Sequence, residues 1–328
     1  MADWYADWHL AILLAALVAD RIFGEPALLW HRLPHPVAVF GKAVGALDRQ
    51  FNLESDSDGL RLRKGAIGVS VLILVAAGLG HVLAWLLQQV SHAGPVLEGF
   101  VVFTLLAQKS LLDHVTAVAD GLSGKGLSGG RAAVAKIVGR DPETLDRTGI
   151  ARAAIESVAE NFSDGVVAPA FWYAVFGLPG LLAYKMINTA DSMIGYRSVR
   201  HEQFGRIAAQ IDDLANWLPA RLSAGLIALA ALMTKGAASA RRALSSAIAD
   251  SGLHRSPNAG WPEAAMAGAC GFALGGPRIY PGGRVEQAFL NAAGRRDLDG
   301  GDIRMAVRLT DAACMALWGL VLLLAIAT

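Results

Sequence analysis

Residues 65–97 contain no Asp, Glu, Lys or Arg. A helix needs about 20 apolar residues to cross the hydrocarbon core of a bilayer, so this run commits the chain to a membrane before anything else is known of it. The rest of the composition agrees. The 328 residues are 54% hydrophobic and 17% charged, with a mean hydropathy of +0.42, whereas soluble domains carry roughly a quarter charged residues. A second uncharged stretch, 165–184, is also long enough. The stretches 222–234, 264–277 and 312–328 need help from flanking residues, and Gly-rich 264–277 suits burial between helices equally well. Residues 101–107 belong to a return span beginning near Val96, despite Glu98. Residues 8–19 read as a marginal span or an interfacial helix, with Trp4, Tyr5 and Trp8 at headgroup depth.

Several classes are excluded. Asp3 and Asp7 stand where a signal peptide needs basic residues, so no cleavage is expected. A net charge of +1 leaves no large basic surface for nucleic acid. Cys270 and Cys314 sit in apolar segments without metal-ligand spacing and read as buried small residues. Gly124-Lys125 suggests a phosphate loop only superficially: Ala119 replaces the required Gly, and Gly126 replaces the Ser or Thr. No Gly-x-Gly-x-x-Gly or Gly-x-Ser-x-Gly element is present.

The patterns predict an all-α, polytopic helical membrane protein forming one domain over 1–328. Arg61, Arg63 and Lys64 precede the long apolar run and mark its cytoplasmic foot. That places 20–64 inside, a hairpin across 65–112, and 109–164 inside again, with 121–130 as a flexible loop. A full crossing at 165–184 would carry 185–216 outside. Gly177-Leu178-Pro179-Gly180 breaks a helix, so a re-entrant or broken helix near 165–190 is expected to return Lys185 to the side where the chain entered. Such backbone is tolerated at membrane depth when buried in protein.

Polar clusters flank that stretch. Glu156, Glu160 and Asp164 are spaced i, i+4, i+8, and like charges at that spacing repel. They ask for a cation, and oxygen ligands suit Mg²⁺; the plain alternative is a solvated acidic face eased by Arg152. Lys185, Asn188, Asp191 and Ser192 follow at i, i+3, i+6 and i+7. Lys185 suits phosphate and Arg197 offers a fork for phosphate or carboxylate, although a lysine at a helix end also snorkels for no chemical purpose. Asp212, Asp213 and Asn216 form a D-D-x-x-N element able to hold Mg²⁺ on phosphate, or else a surface salt-bridge cluster. Pro219 bends or restarts the helix before Arg221. Ser256-Pro257-Asn258 lead into a helix whose first turn suits Pro262 and Glu263. Its amides and Asn258 could receive an anion, or this is plain helix entry. His31 and His35 are four apart, but Pro34 spoils a helical metal pair, leaving His35 as a turn or substrate residue.

These pieces also resemble a known family. They are Val138-Gly139-Arg140-Asp141, Ala154-Ile155-Glu156-Ser157-Val158-Ala159-Glu160-Asn161, Asp164-Gly165, Asn188-Thr189-Ala190-Asp191-Ser192-Met193, Gly195-Tyr196-Arg197, Asp212-Asp213, Asn216 and Pro219-Ala220-Arg221, with His35-Pro36-Val37 before them and 256–263 after. In this order, from about 17 to about 285, they are similar to the CobD/CbiB proteins of cobalamin biosynthesis, the adenosylcobinamide-phosphate synthases. The family's usual Gly-Asp-Pro stands here as Gly24-Glu25-Pro26. The resemblance implies an acid-amine ligase that joins the propionate carboxyl of adenosylcobyric acid, a corrinoid, to aminopropanol or its O-phosphate. ATP is the co-substrate and the reaction passes through an acyl phosphate. It implies an inner-membrane, multi-pass protein with a cytoplasmic active site among membrane lipid. On this reading Glu156, Glu160, Asp164, Asp212 and Asp213 hold Mg²⁺, Lys185, Arg197 and Arg221 neutralise phosphate charge, and Asp191 takes the amine's proton. His35, Arg140, Asn161, Asn188, Ser192, Asn216, Arg221, Ser256 and Asn258 bind substrate or nucleotide. A second subunit or self-association is left open.

Two other classes stay in view: a Mg²⁺-dependent intramembrane prenyl- or phosphotransferase built on D-D-x-x-N, and a transporter or structural membrane protein. A transporter needs polar groups at mid-span, whereas here they gather at boundaries.

Overall fold

In chain order the helices are α1 (His9–Phe23), α2 (Pro36–Phe51), α3 (Asp58–Gln88), α4 (Ala93–Leu105), α5 (Gln108–Gly124), α6 (Gly126–Val134), α7 (Arg147–Phe162), α8 (Ala168–Ala190), α9 (Arg206–Ala215), α10 (Trp217–Lys235), α11 (Ala237–Asp250), α12 (Gly260–Cys270) and α13 (Gly300–Ala327). This computed structural model describes residues 8–26, 30, 32, 34–139, 141–196, 198–280, 283–285 and 287–327. Trp4, Tyr5, Asp3, Asp7, His31, Arg140 and Arg197 lie outside the described residues. Short π-helical turns cover Ser163–Val167 and Asp191–Gly195. Two minimal antiparallel ladders, β1 (Leu274–Gly275) with β4 (Phe289–Leu290) and β2 (Arg278–Tyr280) with β3 (Gly283–Val285), are the strands among the described residues. The helical class is as expected.

Five segments are long and apolar enough to cross a membrane: Asp58–Gln88, Ala93–Gly124, Arg147–Gly195, Trp217–Lys235 and Gly300–Ala327. The first is the most telling. Only 17% of its most apolar window is buried, with Ile67 and Leu74 among its exposed side chains. A surface of that kind is an aggregation liability in water and an ordinary one in lipid. The uncharged run at 65–97 is divided, since α3 ends at Gln88 and α4 starts the return at Ala93.

One open alternative is decided, for burial, and one expectation is corrected. Residues 264–277 do not cross: α12 has 11 residues, about 16 Å of helix, and is buried from Ala264 to Ala269. A Cβ on Gly268 would lie 2.2 Å from the Arg242 carbonyl, so α12 packs backbone-close on α11. Residues 121–130 are largely helical rather than a flexible loop, because Gly121 and Gly129 let α5 and α6 approach until an added Cβ would meet backbone at 2.6 Å. Cys314 is buried as expected, whereas Cys270 is half-buried with Lys235 Nζ 3.6 Å from its sulfur.

The chain divides into two compact units. One contains 1–106, 168–216 and 321–328; the other contains 107–167 and 217–320. The second unit packs α11 and α12 on α10, and α6 and α7 on α5. In the first unit α8 is broken rather than straight. Gly177 has φ 66° and ψ −152°, a conformation open to glycine without strain, and Pro179 follows it. A Cβ on Gly180 would lie 2.4 Å from the Trp172 carbonyl, although eight residues of straight helix would separate them by about 12 Å. Ala168 and Tyr184 share one buried cluster. Both pairs are centred on Phe176, so α8 is a tight helical hairpin that returns at Tyr184 to the level of Ala168. Its arms within α8 are about 14 Å and about 20 Å long.

Two further contacts seat the hairpin. Its tip lies on α3, where a Cβ on Gly80 would come within 2.7 Å of Leu178 and Pro179 backbone. The break leaves the first arm's last carbonyls without helical partners, and His9 Nε2 lies 2.6 Å from the Tyr173 carbonyl while its ring stacks on Tyr173 at 4.4 Å. The Tyr173 hydroxyl donates to buried Glu98 Oε1 at 2.7 Å. The loop after the hairpin is clamped too: Arg200 and His201 reach Asp48, and Asn52 and Arg61 donate to the Arg200 carbonyl.

Gly180→Ala should lower the detergent melting temperature by several degrees, an overpacking loss of about 1–3 kcal/mol. Gly225→Ala, where an added Cβ meets nothing within 4 Å, should be neutral or stabilising; equal behaviour of the two variants in a thermal melt would contradict the tight hairpin. Tyr173→Phe removes the donor to buried Glu98 and should cost about 1–3 kcal/mol in denaturant titration.

Candidate functional site: a carboxylate cluster at the base of the hairpin

Where α8 ends, its last turn widens into the π-helical turn Asp191–Gly195. A Cβ on Gly195 would lie 1.9 Å from Asp191 Oδ1, so Asp191 folds over bare backbone there. Gly205, at the start of α9, sits so close to the Ile194 carbonyl that an added Cβ would overlap it at 1.6 Å. That approach brings α9 against the turn and carries Asp212 and Asp213 into electrostatic reach of Asp191.

Asp212 is the buried member. Asn216 Nδ2 donates to its Oδ2 at 2.9 Å, and the Tyr184 hydroxyl donates to Asn216 Oδ1 at 2.9 Å. Tyr184 thus fixes which end of the Asn216 amide faces the acid, and Trp172 Nε1 fixes the end of α9 by donating to the Ala215 carbonyl at 3.1 Å. Asp212 Oδ1 is buried and accepts no well-formed hydrogen bond among the described residues. Burial pushes the Asp212 carboxyl up to about 7; the Asp191 charge adds to this, hydrogen bonding from Asn216 and Asn188 opposes it, and Asp213 raises it further. Burial also raises the half-exposed Asp213. An aspartate with one orphaned oxygen, beside two more acids, is a place prepared for positive charge.

Lys185 and Asn188 are half-buried on the second arm and Ser192 is exposed on the π turn. His35 caps α2, its Nδ1 accepting from the Val37 amide at 3.1 Å, and its Nε2 lies 3.6 Å from Glu25. Burial holds its pKa down; Glu25 opposes this, and the Lys185 charge lowers it further, so His35 and Lys185 are brought near one another. Glu25 has a structural partner of its own in His35.

The remaining expected residues lie in the second unit. Glu156 is buried and its Oε1 accepts the Gly275 amide at 2.7 Å, tying β1 to α7. Glu160 and Asn161 are exposed, and Asp164 is half-buried in the π turn that interrupts α7. The three acids therefore differ in surroundings instead of lining one solvated face. Asn161 Nδ2 donates to the Ser157 carbonyl and hydroxyl, and Ser157 donates to the Ile137 carbonyl at 3.1 Å. Arg221 is stacked between Trp217 and Trp261, 4.2 and 4.6 Å from the ring centroids. A guanidinium held by its faces keeps edge N–H groups for an anion. Ser256 Oγ accepts the Asn258 and Ala259 amides at 3.2 Å, which is the bonding of a helix entry; Asn258 is buried. Among the described residues no three His, Cys, Asp or Glu side chains enclose a metal unaided. Tyr184 and Trp172, which orient the acid cluster, were not among the expected site residues. Each sits in an apolar run where an aromatic ring normally means packing.

The model of the CobD/Cbib protein family matches residues 13–310. A cobalamin biosynthesis protein CobD from Sinorhizobium sp is 54% identical over 316 residues, covering 96% of this chain and 98% of the relative. The protein of that name from Rhizobium meliloti (strain 1021) is 55% identical over 305 residues, 93% of each chain. Another from Rhodobacter capsulatus is 44% identical over 284 residues, 86% of each. No solved structure matches the chain. With nearly its full length matched, at such identity and by relatives of equal extent, the chain belongs to the CobD/Cbib family.

Proposed function

We propose that this chain acts in cobalamin biosynthesis as a multi-pass membrane enzyme that makes an amide. It joins the propionate carboxyl of adenosylcobyric acid to the amine of aminopropanol or its O-phosphate, at the expense of ATP. The role in the pathway is supported by what the relatives are named for. The chemistry is supported by one observation above all: Asp212, buried with an orphaned oxygen, sits among Asp191, Asp213, Asn188 and Asn216.

An amide cannot form from a free carboxylate, because oxide is too poor a leaving group. The carboxylate oxygen attacks the γ-phosphorus and ADP departs, giving an acyl phosphate. The amine then attacks the acyl carbon, the new C–N bond forms, and the C–O bond to phosphate breaks. Mg²⁺, when bound, neutralises phosphate oxygens. The donor set fits it, since Mg²⁺ takes one or two carboxylates and completes its shell with phosphate and water. Asp212 and Asp213 would hold it within the first unit; Glu156, Glu160 and Asp164 are, by residue type, separate candidate ligands within the second. Asp191 accepts the proton released by the attacking amine. Lys185, Arg197 and Arg221 offset negative charge as it develops on phosphate. Asn188, Ser192 and His35 orient substrate beside Lys185, and Arg140, Asn161, Ser256 and Asn258 contact substrate or nucleotide. Such a site needs cytoplasmic ATP, and an inner-membrane protein whose hairpin enters and leaves on one face supplies Lys185 and Asp212 to that side.

Purified protein in detergent should convert adenosylcobyric acid, ATP and one of the two amines to the amide and ADP, read by mass spectrometry. Turnover of a lipid diphosphate without ATP would replace this reading with the transferase. Asp212→Asn and Asp213→Asn should each lower turnover at least tenfold, about 1.4 kcal/mol of barrier. Stability should move the other way for Asp212. Its carboxyl titrates near 7 in the fold against 3.8 ordinarily, so its contribution is complete below about pH 3.8 and is lost as pH rises through 7. Asp212→Asn should therefore melt at or above the wild-type temperature at pH 8 while losing activity. A fall in both would mark Asp212 as a packing residue.

A further inference from the structure

The second unit holds a cleft of about 430 Å³ that no role above uses as a whole. Lys136 and His114 line it with Ser110, Ser157, Asn161 and the backbone at Gly139, and no acid is in its lining. Three motifs separated in sequence converge there. Val138 and Gly139 come from the first, Ser157 and Asn161 from the second, and Gly165 from Asp164-Gly165. Their spacing in the chain does not require this meeting; the bonds from Asn161 to Ser157 and from Ser157 to the Ile137 carbonyl make it.

The chemistry of the walls selects the charge of an occupant. Lys136 has no ion-pair partner among the described residues and is exposed at the cleft. Ala107 and Ser110 belong to the start of α5, where the first amides lack helical acceptors and the positive end of the helix dipole lies. Gly165 lies in the π-helical turn Ser163–Val167, and such turns within helices often accompany functional sites. A cation would meet only repulsion from Lys136. An oxyanion would meet the Lys136 ammonium, the Ser110 hydroxyl and the positive end of the α5 dipole, while the Asn161 amide and the Ser157 hydroxyl already donate within the cleft wall. The volume is in the range of small-molecule sites and is too small for a corrin ring with its side chains. Glu160 and Asp164 are the chain neighbours of Asn161 and Gly165, which puts acids beside the cleft and none in its wall.

We propose that this cleft binds the phosphate group of a small soluble molecule, with Lys136 as its principal charge. Two sources follow from the function proposed above, on which their identity rests: the triphosphate of the nucleotide and the phosphate of aminopropanol O-phosphate. The full-length protein in nanodiscs of zwitterionic lipid is titrated with a non-hydrolysable ATP analogue, with aminopropanol O-phosphate and with pyrophosphate. Lys136→Ala, Lys136→Arg and the remote Lys125→Ala are compared with wild type, and binding of adenosylcobyric acid serves as the control for folding. At least one phosphate ligand should bind wild type and Lys125→Ala alike, weaken tenfold or more in Lys136→Ala, and recover in part in Lys136→Arg, with corrinoid binding unchanged. The ligand that responds identifies the source. Phosphate binding indifferent to Lys136 overturns the cleft and leaves the ATP-dependent reading intact. No phosphate binding by wild type overturns the cleft as well, while amide synthesis in the assay above would then still uphold the ligase. Loss of soluble-phosphate binding on adding anionic phospholipid to the nanodisc, in wild type but not in Lys136→Ala, assigns the cleft to lipid headgroups and overturns the small-molecule proposal.

Discussion

A helix that reverses inside an apolar layer must find partners for the backbone groups it unpairs, since each one left bare there costs several kcal/mol. That requirement governs the first unit. The reversal at Gly177 frees carbonyls at the end of the first arm; His9 reaches one of them from α1, and Gly80 lets the tip settle against α3. With the tip fixed, the second arm has only one place to return. Its end delivers Lys185, Asn188 and Asp191 beside α9, and Tyr184 orders Asn216 against Asp212. The geometry of the acid cluster is thus inherited from the way the hairpin is satisfied.

Three buried carboxylates differ in how far the fold offsets the cost of burying them. Glu98 accepts from the Tyr173 hydroxyl, and Glu156 accepts a backbone amide. In each, a neutral donor within the fold offsets part of the cost of burial. Asp212 has one oxygen so treated and one left over, with further negative charge nearby. Of these three, Asp212 is the acid whose partners are incomplete.

The sequence made the broad outline readable because hydrophobicity and helix breaking are local. The run at 65–97 announced spans, and Gly177-Leu178-Pro179-Gly180 announced the reversal. What escaped is what depends on two distant segments. Residues 121–130 look like a loop by composition, yet glycines at 121 and 129 serve a close helix–helix approach. The apolar stretch from 264 looks like a span, but Gly271 and the short strands after it stop α12 at 11 residues. The i, i+4, i+8 acids assumed an uninterrupted α-helix, whereas α7 gives way to a π turn just before Asp164. At the cluster, the acids and Asn216 were legible from their types and spacing. Tyr184 and Trp172 were not, because a buried aromatic ring in an apolar run carries no mark of the hydrogen bond it makes.

The bond between Tyr173 and Glu98 joins residues 75 positions apart, and this separation has a meaning in time. A ribosome adding about 5–20 residues per second finishes Glu98 roughly 4 to 15 s before it finishes Tyr173. During that interval α4 exists without the hydroxyl that its acid accepts in the finished protein. The early helices must therefore wait at the bilayer with this acid satisfied by another donor. The hairpin is a late piece of the first unit.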